Sequence, residues 1–292
     1  MATDALRIEY DTAPSLLSSY LRAATARPAG GGIPRMDAVQ RAVAIDAGEL
    51  ANYRKVCGFA PGAQLPVTFP HILAAPLHLG LLTQKAFPLK LLGLVHIRNV
   101  IRQLRPLTPD ERLDLQVYVE GQREVHNGIE FDLVTQVDDA LGKRVWESVS
   151  TNLSRRKKKE GRGTPPKRHG EEVFQAEHSE RWKVPGNIGR RYAGVSGDIN
   201  PIHLSALSAR AFGFPRAIAH GMWSLARCAA ALENQFPQEA FEISVAFKQP
   251  VLLPASVQFQ SRRDGGGIAY QLSNADGSKV HLTGSVRAIG HI

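Results

Sequence analysis

The feature that most constrains this chain is an internal repeat of one short motif. Tyr53 to Gly58 reads YRKVCG and Tyr192 to Gly197 reads YAGVSG, so the pattern Tyr-x-x-Val-small-Gly recurs after 139 residues. In each half the motif is followed by an apolar stretch of helical length and then by four strand-like runs. The length of 292 residues suffices for two domains of about 150 residues each. The repeat therefore predicts two similar folding units in one chain.

The apolar stretches predict one buried helix in each half. The stretch from Gly221 to Leu232 is apolar at all but two of its positions, and a helix that is apolar nearly all round belongs in a protein interior. Its counterpart is the stretch from Ile72 to Leu82, where Pro76 interrupts the helical pattern.

Alternating runs predict strands, because successive side chains of a strand point to opposite faces. The predicted inward sets are Leu113, Leu115, Val117 and Val119; Ile129, Phe131 and Leu133; Val145, Val149 and Leu153; Ile243, Val245 and Phe247; Val257 and Phe259; Ile268, Tyr270 and Leu272; and Val280, Leu282 and Val286. An antiparallel sheet with one apolar face needs a cover, which a buried helix supplies. The predicted fold class is α+β, with each half a sheet wrapped around one helix and the two halves packed as a pseudo-dimer.

A basic segment separates the two repeats. Eight Lys and Arg residues and a single acidic residue lie between Arg155 and Arg168, in a chain with a formal net charge of +9. We predict an N-terminal unit at residues 1–154, a linker at residues 155–180 and a C-terminal unit at residues 181–292. The linker is interpreted as a solvated connection or as a patch that attracts an acidic partner. Because no aromatic residues are interleaved for base stacking, no nucleic-acid partner is predicted.

The composition excludes several classes of protein. Two Cys residues exclude a disulfide scaffold and a Cys-based metal cluster. No apolar run approaches the roughly 18 residues of a membrane-spanning helix, and the N-terminus lacks the features of a signal peptide. We therefore expect a cytoplasmic protein that does not insert into a membrane.

The polar residues that suggest chemistry cluster in the second half. They are Asp198, Asn200, His203, His220 and Gly221. A carboxylate and an imidazole can together hold and activate one water molecule, and the N–H groups at the start of a helix can bind a developing oxyanion. The alternative for Asp198 is that it only caps a helix beginning near Pro201.

This segment resembles the signature of the (R)-specific enoyl-thioester hydratases, also called the MaoC-like dehydratase family, which has the hot-dog fold. The family pattern runs aromatic, then small-Gly-Asp-x-Asn-Pro-aliphatic-His, then His-Gly-Met. The chain matches it at Tyr192, from Ser196 to His203, and from His220 to Met222. The two-copy arrangement is similar to the double-hot-dog members of the family. The resemblance implies hydration of trans-2-enoyl thioesters to (R)-3-hydroxyacyl thioesters, the reverse dehydration, and a place in fatty-acid metabolism.

The resemblance also implies a role for each matched residue. Asp198 and His203 would be the catalytic dyad that polarises water for addition to C3, with His203 exchanging the proton at C2. The backbone N–H of Gly221 would bind the thioester carbonyl. The supporting residues would be Ser196, Asn200 and His220. No metal and no redox cofactor is implied, and coenzyme A or the pantetheine arm of an acyl carrier protein is part of the substrate.

The first half departs from this pattern. At the same offset, the residues in the places of the dyad and its asparagine are Phe59, Pro61 and Gln64. We therefore predict one active site per chain, at the boundary between the halves. Two other functions remain open: a hot-dog acyl-thioesterase, and a non-catalytic protein that binds an acyl thioester or acyl carrier. Monomer and homodimer also remain open, because a two-copy chain already contains the interface that single-copy relatives form by dimerising.

Overall fold

One continuous sheet runs through both halves of the protein. The computed structural model describes residues 6–25, 31–91, 93–156 and 174–290. Within these residues the sheet has eleven strands, in the order β1-β2-β4-β5-β6-β3-β8-β11-β10-β9-β7. The strands are β1 (Leu6–Tyr10), β2 (Met36–Val43), β3 (Leu94–Gln103), β4 (Leu113–Val125), β5 (Gly128–Asp138), β6 (Arg144–Arg155), β7 (His178–Val184), β8 (Phe241–Phe247), β9 (Ala255–Asp264), β10 (Gly267–Asn274) and β11 (Val280–Ala288).

The strand order repeats on both sides of the central antiparallel pair β3–β8. Moving outwards, one side reads β3, β6, β5, β4, β2 and the other reads β8, β11, β10, β9, β7. Each strand of the first series therefore matches the strand five places later in the chain, and β1 adds a parallel edge strand beside β2. This arrangement is the predicted α+β pseudo-dimer. Residues 157–173 of the predicted basic linker lie outside the described residues, so the linker and the unit boundaries stay predictions.

The helices cover one face of this sheet. They are α1 (Leu16–Thr25), α2 (Ala47–Cys57), α3 (Phe69–Leu73), α4 (Ala75–Leu82), α5 (Ile188–Ser196), α6 (Ala206–Arg210) and α7 (Gly221–Leu232). Helix α7 has the predicted bounds and is largely buried. Its counterpart is split into α3 and α4, because Pro76 is accepted in the first turn of a helix but not in its interior. None of the described helices is long and apolar enough to cross a membrane.

The repeated motif forms the C-terminal ends of helices α2 and α5. Gly58 and Gly197 end these helices in the left-handed region, with φ of 83° and 71°, a conformation that glycine adopts without the penalty of a Cβ. The two helices pack against each other, and the ring centroids of Tyr53 and Tyr192 lie 6.3 Å apart. The segment that follows Gly197 is thereby placed at the boundary between the two halves.

The inward face of β6 differs from the prediction. Burial alternates along β4 as predicted, with Leu115 and Val117 buried. The register pairs Leu115 with Val137 and Val137 with Trp146, and directly opposed residues share a face. The inward face of β6 is therefore that of Trp146, Ser148 and Ser150, whereas Val149 and Leu153 of the predicted set lie on the opposite face. Val145 lies where the register shifts beside Trp146 and is buried in the same core as that residue. The prediction was wrong because β6 carries buried apolar residues on both faces, so alternation does not identify the inner one.

Candidate active site

Asp198 lies in the loop that follows α5, and local hydrogen bonds define its position. Its backbone N–H donates to the Ser196 hydroxyl oxygen at 3.2 Å. Its carboxylate oxygen Oδ1 accepts from the backbone N–H of Asn200 at 3.1 Å. The side chain retains 45% exposure. Asn200, not Asp198, caps the short 3-10 helix Pro201–His203, so the helix-capping alternative for Asp198 does not apply.

His203 is held by its backbone and by one ring nitrogen. Its Nδ1 lies 2.9 Å from the carbonyl oxygen of Ile218; this contact requires the Nδ1–H tautomer, which leaves Nε2 with a free lone pair. The carbonyl of His203 packs so closely on Gly189 of α5 that a Cβ there would overlap it. His203 is thus a buried imidazole with one nitrogen engaged and the other available as a base.

His220 and Gly221 form the start of α7. The His220 Nε2 lies 2.9 Å from the carbonyl oxygen of Asp198, so the ring donates to the dyad loop and ties it to the helix. Gly221 is the first residue of α7, where a backbone N–H has no acceptor within its own helix. A Cβ on Gly221 would lie 3.2 Å from the ring of Phe247, so the structure uses this glycine for packing against Phe247.

The structure brings the predicted polar side chains into one cluster. One ligand-type atom from each of Asp198, His203 and His220 lies within 4.8 Å of the other two. The rings of His203 and His220 stack with centroids 3.6 Å apart and planes inclined by 26°. Ser196 and Asn200 contact the same loop through the hydrogen bonds described above. The cluster therefore combines a carboxylate, an imidazole and a helix N-terminus in a small volume.

The surroundings set different protonation states for the acid and the imidazoles. Burial, followed by the neighbouring His220, lowers the pKa of His203 to about 4, and burial also lowers the pKa of His220. Partial burial alone would raise the pKa of Asp198, but the neighbouring His220 and His203 and the hydrogen bond from Tyr20 outweigh this effect, so the net shift of the pKa is downwards. Near pH 7 the site therefore holds an ionised carboxylate beside a neutral imidazole.

Tyr20 contacts the dyad and was not predicted from the sequence. This residue belongs to α1, and its hydroxyl donates to Asp198 Oδ1 at 2.8 Å. Burial, followed by the charge of Asp198, raises the pKa of Tyr20, so the hydroxyl keeps its proton and acts as the donor. Because 178 positions separate the two residues, no local motif could have indicated the contact.

His96 is a second neighbour from the first half that sequence reasoning missed. Its ring centroid lies 5.1 Å from that of Phe247, the residue packed on Gly221. Its Nε2 is buried and has no hydrogen-bond partner among the described residues. Burial lowers the pKa of His96 to about 4, an effect that the charge of Asp198 partly opposes. The first half therefore adds a neutral imidazole close to the start of α7.

The corresponding loop of the first half has a structural organisation of its own. Phe59 is buried in the core, and the exposed Gln64 contributes its backbone carbonyl to the guanidinium of Arg54. The same guanidinium donates to the carbonyl of Ala60 at 2.6 Å. A buried arginine thus organises this loop with backbone carbonyls, without a carboxylate or imidazole at the dyad positions.

The three-residue cluster does not have the geometry of a metal site. An ion bound by histidine lies in the ring plane, about 2.0–2.1 Å from the nitrogen for zinc. The rings of His203 and His220 are nearly parallel and 3.6 Å apart, so no single point lies in both planes close to both rings. One nitrogen of each ring also contacts a backbone carbonyl. As placed, these residues do not fit a shared metal ion.

Comparisons with known proteins identify the family. A profile of the MaoC like domain matches residues 175–284. The chain is 36% identical over 284 residues to the 3-hydroxyacyl-thioester dehydratase X of Mycobacterium tuberculosis, covering 95% of this chain and all of that protein. The chain belongs to the MaoC-like dehydratase family. The predicted family and the predicted hydratase/dehydratase class of enzyme are thereby confirmed.

Solved structures agree with the predicted fold. The crystal structure of HtdX from Mycobacterium tuberculosis has a TM-score of 0.75 and 34% sequence identity, and the match covers 87% of this chain and 100% of that one. A MaoC-like dehydratase from Phytophthora capsici has a TM-score of 0.70 at 20% identity, covering 88% of this chain and 96% of that one. The family-matched segment contains the whole predicted signature, whereas Tyr20 and His96 lie outside it.

Proposed function

We propose that this chain hydrates trans-2-enoyl thioesters to (R)-3-hydroxyacyl thioesters and catalyses the reverse dehydration. The observation that carries the proposal is the pairing of a carboxylate whose pKa is lowered with a neutral imidazole that has a free Nε2, both beside the start of α7. The relative named 3-hydroxyacyl-thioester dehydratase X supports the same reaction. We assign the (R) configuration of the product from the resemblance of the signature to that of the (R)-specific enoyl-thioester hydratases.

The proposed reaction places one water molecule between Asp198 and His203. The carboxylate accepts one hydrogen bond from this water, and His203 Nε2 accepts the other. The water oxygen bonds to C3 while the C2–C3 π electrons move towards the thioester carbonyl, and His203 Nε2 takes up the proton that the water releases. A proton delivered from His203 to C2 then completes the product, and dehydration runs the same steps backwards.

The start of α7 is suited to the charge that this reaction develops. During addition to C3, negative charge accumulates on the thioester carbonyl oxygen. The N–H of Gly221 has no intrahelical acceptor and lies at the positive end of the helix dipole, where it stabilises such an oxygen. The proposal requires no metal and no redox cofactor; coenzyme A or the pantetheine arm of an acyl carrier protein enters as part of the substrate.

A substrate assay separates the proposal from its alternatives. The purified chain is mixed with crotonyl-CoA or with a medium-chain trans-2-enoyl-CoA, and the enoyl absorbance and the free thiol are followed together. Loss of absorbance with formation of (R)-3-hydroxyacyl-CoA is the expected result. Release of free thiol would instead identify a thioesterase, and binding without turnover would identify an acyl-thioester binding protein. Either of those results would overturn the proposal.

A further inference from the structure

Helix α1 reaches the candidate dyad from outside both sheet repeats. It follows the edge strand β1 and places Tyr20 so that its hydroxyl donates to Asp198 Oδ1 at 2.8 Å. The segment of the chain that matches the family profile begins at residue 175, so this helix is not part of it. One hydrogen bond to the Asp198 carboxylate therefore comes from a residue that belongs to neither the signature nor the repeat.

The two oxygens of the Asp198 carboxylate have different surroundings. Oδ1 accepts two hydrogen bonds, from the Tyr20 hydroxyl and from the Asn200 backbone N–H. Oδ2 lies 3.7 Å from His220 Nε2, a nitrogen that already contacts the carbonyl of Asp198 at 2.9 Å. The two hydrogen bonds to Oδ1 thus fix the orientation of the carboxylate, and Oδ2 remains available to accept a hydrogen bond from another donor.

Several contacts hold α1 in this position. Leu16, one turn before Tyr20, packs on Gly197, and a Cβ at Gly197 would overlap its Cδ1. Before the helix, the Tyr10 hydroxyl and Pro14 pack on Gly80 of α4 at separations that leave no room for a Cβ. β1 pairs with β2 along its whole length. The placement of Tyr20 is therefore determined by packing on both sides of the helix and not by the hydrogen bond alone.

We propose that Tyr20 is a positioning residue for the reaction, one that holds Asp198 through Oδ1 and directs Oδ2 towards the water. This inference rests on the proposed function for the reaction that it serves. Because a hydrogen bond to the charged form of a carboxylate favours that form, Tyr20 also helps to keep Asp198 ionised. The other titratable groups around Asp198 are His203 from the 3-10 helix, His220 from α7, Tyr192 from α5 and His96 from β3.

The test compares Tyr20→Phe with Tyr118→Phe, which removes a hydroxyl from a partly buried tyrosine on the outer face of β4. For each variant, kcat, KM and the pH profile of kcat/KM are measured with an enoyl-CoA. For Tyr20→Phe we expect kcat to fall about tenfold with little change in KM. We also expect the acidic limb of the kcat/KM profile to move to higher pH by about one unit, because the charged form of Asp198 loses a hydrogen bond. Tyr118→Phe is expected to keep the profile of the unmodified protein.

A second measurement does not depend on turnover. The carboxyl carbon of Asp198 is followed by carbon-13 NMR over a pH titration, and its resonance is assigned by its loss in Asp198→Asn. A higher pKa of Asp198 in Tyr20→Phe than in Tyr118→Phe supports the inference even if no enoyl thioester is hydrated. Unchanged kcat and an unchanged titration in Tyr20→Phe would overturn it, while hydration by the unmodified protein would leave the proposed function intact. An increase of kcat in Tyr20→Phe would also overturn it, since the hydroxyl would then compete with the water.

Discussion

His203 and His220 stack ring on ring with centroids 3.6 Å apart, yet each ring contacts a different backbone carbonyl. His203 Nδ1 lies 2.9 Å from Ile218 O, and His220 Nε2 lies 2.9 Å from Asp198 O. The stack favours neutral rings, because two imidazolium ions in face-to-face contact would repel each other. The two contacts also differ in what they hold: His220 ties the loop of Asp198 to α7, and the Nδ1 contact of His203 leaves its Nε2 free.

The stacked geometry predicts that the activity does not depend on a metal ion. We expect dialysis against EDTA to leave kcat and KM for an enoyl-CoA unchanged, because the two ring planes do not converge on one ion. The measurement is the steady-state rate before and after dialysis, with metal content determined by mass spectrometry. A loss of activity that added zinc restores would contradict this expectation.

Buried histidines predict a loss of stability in mild acid. The pKa of His78 is lowered to about 3 by burial, and the pKa of His96 to about 4, so the unfolded chain binds more protons than the folded chain below the usual value of about 6.5. The free energy of unfolding should therefore be highest above about pH 6.5 and fall as the pH drops towards 4. Each unit of pKa difference corresponds to about 1.4 kcal/mol.

Urea unfolding at several pH values checks this dependence. In His78→Gln the free energy of unfolding should depend less steeply on pH between 6.5 and 4, because one histidine with a lowered pKa is removed. His126→Gln, at an exposed histidine in the turn between β4 and β5, is the matched control and should keep the original slope. The same slope in all three proteins would show that His78 is not responsible.

Two glycines of α5 predict opposite outcomes for the same substitution. A Cβ at Gly189 would overlap the backbone carbonyl of His203, whereas a Cβ at Gly194 has no neighbour within 4 Å. We expect Gly189→Ala to destabilise the protein by about 1–3 kcal/mol through overpacking and to reduce kcat by displacing His203. Gly194→Ala should be neutral or stabilising by about 0.5–1 kcal/mol, because alanine favours a helix interior. Thermal unfolding and kcat are measured for both variants. Equal effects of Gly189→Ala and Gly194→Ala on stability and kcat would contradict the close approach of the His203 carbonyl to Gly189.

The polar inner face of β6 allows a paired stability measurement. Ser148 and Ser150 are both buried there, but only Ser150 has a hydrogen-bond partner among the described residues, the side-chain amide of Asn99 at 2.9 Å. Ser148→Ala should be neutral or stabilising, since it removes a buried hydroxyl without a partner. Ser150→Ala should cost about 1 kcal/mol or more, because it leaves the buried amide unpaired. The opposite order of the two free energies of unfolding would contradict this interpretation.

The sequence was sufficient where one local pattern determined the structure. Helix α7 could be predicted to the residue because it is apolar on nearly every side and is therefore buried. Asp198 and His203 could be paired because they lie in one short segment between the glycine cap of α5 and the end of the short 3-10 helix. The roles of these residues in catalysis stay predictions.

The sequence was insufficient where position depends on contacts between distant segments. β6 was assigned the wrong inner face because Leu153 is buried on its outer side while Trp146 is buried on its inner side. Tyr20 and His96 join the site only through the packing of α1 and the central pairing of β3 with β8. Neither residue lies near the signature in the sequence, so no pattern there indicates them.

The central claim is that Asp198 and His203 act together on one water molecule, and their substitution tests it most directly. The measurement is kcat/KM for hydration of an enoyl-CoA by Asp198→Asn and His203→Ala, with Gln64→Ala in the corresponding loop of the first half as the control. A positioned general acid or base contributes about 10²-fold or more, so each dyad variant should lose at least that much while Gln64→Ala stays near the unmodified rate. Near-normal turnover in either dyad variant, or an equal loss in Gln64→Ala, would contradict the assignment.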